Sequence, residues 1–114
     1  MVIDSTTIEA LRELGGDDDP GLVMELIELY LGDAADRVQT IGAAWDVGDL
    51  DSVARAAHAL KSASANIGAL CFSDACKDVE LGAKAGNEIA DTVAACTAMF
   101  REVQCALERI RADS

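Results

Sequence analysis

Between Ile89 and Ile110 the apolar residues recur at alternating steps of four and three: Ile89, Val93, Cys96, Phe100, Val103, Leu107 and Ile110. An average step of about 3.5 residues sets them all on one side of an α-helix. Such a stripe is buried only against other helices, so it reads as the seam of a bundle. The rest of the chain has to supply the partners.

It does so in segments divided by glycines. A short one over about 5–14 puts Ile8 and Leu11 on one side and stops at Gly15-Gly16. Asp19-Pro20 follows, with Asp in the N-cap place and Pro at the first helical position, where a missing N–H costs nothing. The helix opened there carries Val23, Ile27, Tyr30, Ala34, Val38, Ile41 and Trp45 in one continuous stripe. Val47-Gly48-Asp49 ends it and caps a third helix, with Leu50, Val53, Ala54, Ala57, Leu60, Ser64 and Ile67 inward. Gly68 breaks that helix. A fourth turns Phe72, Cys76, Val79 and Ala83 inward and stops near Gly86, after which Asn87 caps the last one. Glu88 and Asp91 at its start, and Arg101, Arg109 and Arg111 towards its end, suit the helix dipole. No stretch has the sustained period-two alternation of a strand. The reading is all-α: an antiparallel four-helix bundle with a short additional N-terminal helix, one domain over residues 1–114.

Charge narrows the partners. Nine basic residues against twenty-one acidic ones give a net charge of −12. Nucleic acids and anionic membrane surfaces both draw on Lys and Arg, so neither is expected as a partner. No apolar run reaches the roughly 20 residues of a membrane span, and the N-terminus lacks the layout of a signal peptide. A cytoplasmic protein is expected. Residues 1–36 hold ten acids and one base, so most of the negative charge gathers at that end. It reads as a solvated acidic face. Cys71, Cys76, Cys96 and Cys105 lack the close pairing of a zinc site, and no secretory context favours disulfides. All four read as small buried hydrophobes.

The lone histidine is the residue that carries chemistry. At 100° per residue, His58 lies about 100° round the third helix from the centre of its stripe at Ala57, on the border of core and water. Its helical neighbours are Ala54, Arg55, Lys61 and Ser62, with Ala65 a turn further on. The small residues leave the imidazole open. A neutral imidazole nitrogen is a nucleophile, nearby cations favour its neutral form, and the same cations stabilise an anionic group once attached. If the third and fourth helices turn about Gly68-Ala69, position 58 faces position 80. Glu80 then stands ready to orient the ring or to pair with Lys61, flanked by Lys77 and Lys84. A histidine without a role at the helix surface, among plain surface charges, is the alternative at this point.

Other chemistries fail on count. A bundle di-iron site needs two Glu-x-x-His pairs, and here Arg55 stands three residues before the one histidine. By helical arithmetic no cysteine lies near His58. Gly15-Gly16 lacks the strand and the Gly-Lys-Ser/Thr of a phosphate loop, so no nucleotide is bound and cleaved. No metal site is expected.

The run Ala57-His58-Ala59-Leu60-Lys61-Ser62-Ala63-Ser64-Ala65-Asn66-Ile67-Gly68-Ala69 resembles the signature of histidine phosphotransfer (HPt) domains, commonly written A-H-x-L-K-G-x-S-x-x-x-G-A. Phe72, Cys76 and Val79-Glu80 stand where the family often shows Leu, Cys and Leu-Glu. Asp19-Pro20, the long second helix and Gly48-Asp49 also fit, so the resemblance spans nearly the whole chain. It implies a phosphorelay intermediate. His58 would accept a phosphoryl group from a receiver-domain aspartate of a hybrid histidine kinase and pass it to a response-regulator aspartate.

Further roles follow from the same resemblance. Lys61 matches the family lysine that contacts the phosphoryl oxygens, and Glu80 stands where some members carry a glutamine. Arg55, by its place one turn before His58 rather than by the resemblance, would support the phosphoryl group as well. Mg²⁺ would belong to the receiver, leaving this chain without a cofactor and without an independent catalytic site. Ala54, Ser62, Ala65, Lys77 and Lys84 would make the receiver-docking face of a monomer. One departure is Ser62, where the family usually has Gly directly after the lysine; it would narrow the range of receivers. Two other readings are a non-phosphorylated adaptor that docks receivers through the same face, and a hydrolase using His58 as general base. The second lacks oxyanion donors and a nucleophile.

Overall fold

The computed structural model describes residues 2–15 and 21–113. Five helices run in order: α1 (Ser5–Gly15), α2 (Leu22–Asp46), α3 (Leu50–Asn66), α4 (Leu70–Ala85) and α5 (Ala90–Ala112). α3 packs between α2 and α4, and α5 closes the ring by packing on both α2 and α4. Connections as short as 47–49, 67–69 and 86–89 oblige consecutive helices to run antiparallel. The bundle measures 48 × 21 × 19 Å.

The expected stripes form the core. Val53, Ala57 and Leu60 of α3 meet Phe72, Cys76 and Val79 of α4, all fully buried. From α5, Val93, Cys96, Phe100, Val103 and Leu107 turn inward, and the Phe100 ring lies 5.7 Å from that of Phe72. Each fully buried large side chain contributes about 1.5–3 kcal/mol. Over the seven turns of α2 the stripe drifts, so Val38 and Trp45 end half-buried while Leu31 and Ala44 enter the core. The inward-reading Leu50 is also only half-buried. Ser64 sits inside because its hydroxyl pairs with the Tyr30 hydroxyl at 2.7 Å. Burial pushes that phenol up to about 12.

The helix ends follow local chemistry. Asp49 caps α3: its carboxylate accepts from the Ser52 hydroxyl at 2.6 Å and the Ser52 amide at 3.2 Å. Those two bonds hold its carboxyl below the usual carboxylate range. Gly68 turns the chain at φ +90°, and its carbonyl accepts from the Asp4 amide at 2.8 Å. A side chain there would meet Thr7 at 3.0 Å. The N-terminal segment thus clasps the α3–α4 turn, with Ile3 and Ile8 buried, and α1 packs against α2 beyond it.

Asn87 does not cap α5. Its backbone N–H donates to the Gly82 carbonyl at 3.0 Å, closing the end of α4 through left-handed Gly86. Ile89 holds the N-cap place instead, and the Glu88 carboxylate accepts from the Ala90 amide at 2.9 Å. Cys71 and Cys105 are exposed. Cys71 precedes Phe72 by one residue, about 100° off the α4 stripe, and Cys105 falls midway between Val103 and Leu107, behind the seam. Only Cys76 and Cys96 are buried. The Asp19-Pro20 cap lies outside the described residues; the described helix begins at Leu22 with Gly21 before it.

Candidate functional site

α3 carries His58 at the seam with α4, its side chain 61% exposed. Across the seam stands Glu80, only 3% exposed. A carboxylate so placed needs donors on both oxygens, or its desolvation costs several kcal/mol. It has three. His58 Nδ1 lies 2.8 Å from Glu80 Oε2, Lys61 Nζ donates to Oε1 at 2.9 Å, and Lys84 Nζ lies 3.0 Å from Oε2. The Lys61 bond above all, with help from Lys84 and His58, outweighs burial and holds the Glu80 carboxyl down at about 2.

The ionised carboxylate decides the tautomer. It only accepts, so the ring nitrogen touching it donates, and Nδ1 carries the hydrogen. In the neutral ring Nε2 then keeps its lone pair, a nucleophile held in one orientation. The register behind this is fixed by a cross-helix bond, in which the hydroxyl of buried Ser73 donates to the Lys61 carbonyl at 2.8 Å. Ser73 does not stand out in the sequence. Its only signal was a small hydroxyl beside Phe72, just after the turn.

Beside His58 runs an open groove of about 560 Å³, with Leu50, Ala54 and Ala83 along it and Arg55, Lys84 and His58 as its basic groups. Arg55 lines this groove but pairs with Asp51 at 2.6 Å, both side chains largely exposed. Ala54 is buried but lines the floor of this groove. Ser62 is exposed, and its hydroxyl donates back to the His58 carbonyl at 3.4 Å, leaving the imidazole unobstructed. Ala65 and Lys77 are exposed and do not line the groove. The fold therefore brings His58, Lys61, Glu80 and Lys84 into one cluster, with Arg55 and Ala54 alongside. Among the described residues no group of three or more His, Cys, Asp or Glu is set to hold a metal, and no helix is long and apolar enough to cross a membrane.

A buried carboxylate orienting an exposed histidine invites comparison with known proteins. The family model for the Hpt domain matches residues 25–113. The chain belongs to the Hpt family. As an Hpt domain it has a histidine-phosphotransfer role in phosphorelays, working as a carrier with receiver domains as partners. Among solved structures, histidine-containing phosphotransfer protein B (HptB) from Pseudomonas aeruginosa PAO1 superposes with a TM-score of 0.87. The likeness covers 99% of this chain and 96% of that one at 23% identity, and speaks for a shared fold. Among curated proteins none matches the chain significantly.

Proposed function

We propose that His58 of this Hpt domain is the phosphoryl carrier, loaded by a receiver-domain aspartate of a hybrid histidine kinase and unloaded onto a response-regulator aspartate. The observation that carries this reading is the 2.8 Å contact from His58 Nδ1 to buried Glu80, which leaves Nε2 free and exposed. In the loading step the Nε2 lone pair attacks phosphorus. The acyl-phosphate P–O bond breaks, and the receiver aspartate leaves as a carboxylate. The ring becomes a phosphorylated imidazolium that keeps its Nδ1 proton towards Glu80, whose charge stabilises it. Unloading reverses these bonds at a second aspartate.

Lys61 and Lys84, both bonded to Glu80, would share their charge with the phosphoryl oxygens, with Arg55 at the groove edge. Ser62, Ala65 and Lys77 give the receiver a small-residue and cationic rim beside the histidine. Mg²⁺ belongs to the receiver, and this chain works as a cytoplasmic monomer without a cofactor of its own.

The test is transfer from a receiver charged with a radiolabelled small-molecule phosphodonor in Mg²⁺, comparing wild type with His58→Gln. Acid-labile, base-stable label on wild type alone is the expected result. Label on both proteins would move the acceptor elsewhere. Absence of label from several receivers that still bind would overturn the relay in favour of an adaptor acting by occupancy.

A further inference from the structure

Two thiols that the phosphotransfer chemistry does not use meet inside the bundle. Cys76 of α4 and Cys96 of α5 are fully buried, and their sulfurs lie 4.0 Å apart. Both are reduced. A disulfide requires the sulfurs to close to about 2.05 Å, so a shift of roughly 2 Å separates the two states. The bond would join facing positions of adjacent antiparallel helices whose own connection is only 86–89. The surroundings are mainly apolar, with Val79, Phe72 and Phe100 of the same two helices in the core and the Tyr30 phenol, bonded to Ser64, as the polar neighbour. A charged product would be costly there, whereas a neutral disulfide carries no charge to desolvate.

We infer that Cys76 and Cys96 form an oxidisable dithiol that closes, under hydroperoxide, into a disulfide tying α4 to α5. Access comes through local opening of the two helices, because the contact with Cys96, and burial after it, keep the Cys76 thiol protonated in the closed bundle. One thiolate, exposed during such an opening, attacks the hydroperoxide oxygen. It becomes a sulfenic acid and releases an alcohol, or water from hydrogen peroxide. The second thiol then attacks the sulfenic sulfur and expels water. Together the thiols lose two electrons and two hydrogens, and the peroxide bond is reduced. The partner sulfur already in contact captures the sulfenic acid before further oxidation. Cys76 lies one turn before Glu80, so the bond would also fix the helix that holds the His58 ring.

The experiment uses the full chain with exposed Cys71 and Cys105 changed to Ser, so that every remaining thiol belongs to the pair. After hydrogen peroxide, the expected product has lost two hydrogens and shows no free thiol when denatured. Trypsin then yields a cross-linked peptide joining 62–77 to 85–101, which dithiothreitol separates. The oxidised protein should melt several degrees higher, since the bridge restricts the unfolded chain. Oxygen gained without the cross-link would overturn the inference. So would both thiols remaining free after Cys71 and Cys105 of wild type have reacted fully. A cross-linked protein that melts lower would likewise overturn it, because the native geometry would then not accommodate the bond. Cys76→Ala and Cys96→Ala, tested singly, should each abolish the cross-link; if either fails to fold, the peptide map of the parent decides.

Discussion

His58 and Glu80, on different helices and twenty-two residues apart, meet at 2.8 Å with one side chain largely exposed and the other buried. The carboxylate is held in place by Lys61 and Lys84, and it in turn holds the ring. The direction of control runs from the buried group outward. Replacing Glu80 should therefore alter the chemistry at a nitrogen it does not touch.

Glu80→Gln keeps an oxygen for Nδ1–H but removes the charge that stabilises the imidazolium. Loading of His58 should slow by about tenfold, and by about a hundredfold in Glu80→Leu, which also frees the tautomer. Nitrogen NMR of the imidazole should report hydrogen on Nδ1 in wild type and mixed tautomers in the Leu variant. Equal rates in all three proteins would remove Glu80 from the mechanism.

Acid should loosen the α3–α4 seam. The folded Glu80 carboxyl, at about 2, lies below its ordinary value of 4.5, so it stabilises the fold above the ordinary value. That contribution, on the order of 3 kcal/mol, is lost as pH falls from about 4.5 towards 2. Denaturant titrations across this window should show stability falling in wild type and a flatter profile in Glu80→Gln. Parallel profiles would place the acid sensitivity elsewhere.

Ser62 tests the docking geometry. Its hydroxyl rests on the carbonyl of the preceding turn and leaves the ring open. Ser62→Gly should change transfer rates less than about tenfold, whereas Ser62→Leu should stop receiver docking by filling the space beside His58. Binding and transfer measured with one receiver decide the matter. Identical behaviour of the two variants would sink the steric account.

Tyr30 and Ser64 form a buried pair that neither can leave alone without cost. Tyr30→Phe strands the serine hydroxyl and should lower stability by about 1–3 kcal/mol, as should Ser64→Ala for the phenol. The double variant should cost less than the two single losses added together, because no polar group is then stranded. Additive losses in urea unfolding would mean the hydroxyls are satisfied independently.

Period and punctuation in the sequence determined the helices, their order and most of the core, because helical burial repeats with the backbone itself. Val93 to Leu107 read as a seam and pack as one. The same local rules carried the Asp49 cap and the turn at Gly68. Equal distance from that turn also set positions 58 and 80 opposite each other. Tertiary structure decided what local spacing does not encode. It buried Glu80 and brought His58 and Lys61 of another helix onto its two oxygens, whereas the Glu80–Lys84 and Asp51–Arg55 pairs are four-residue steps within one helix. It chose which cysteines met, satisfied Ser64 with a tyrosine from another helix, and tied Ser73 to the Lys61 carbonyl. Asn87, by sequence the cap of the last helix, instead closes the helix before it through a local bond to the Gly82 carbonyl. Periodicity fixes which face a residue occupies; the side chains arriving from neighbouring helices fix its charge state and its partners.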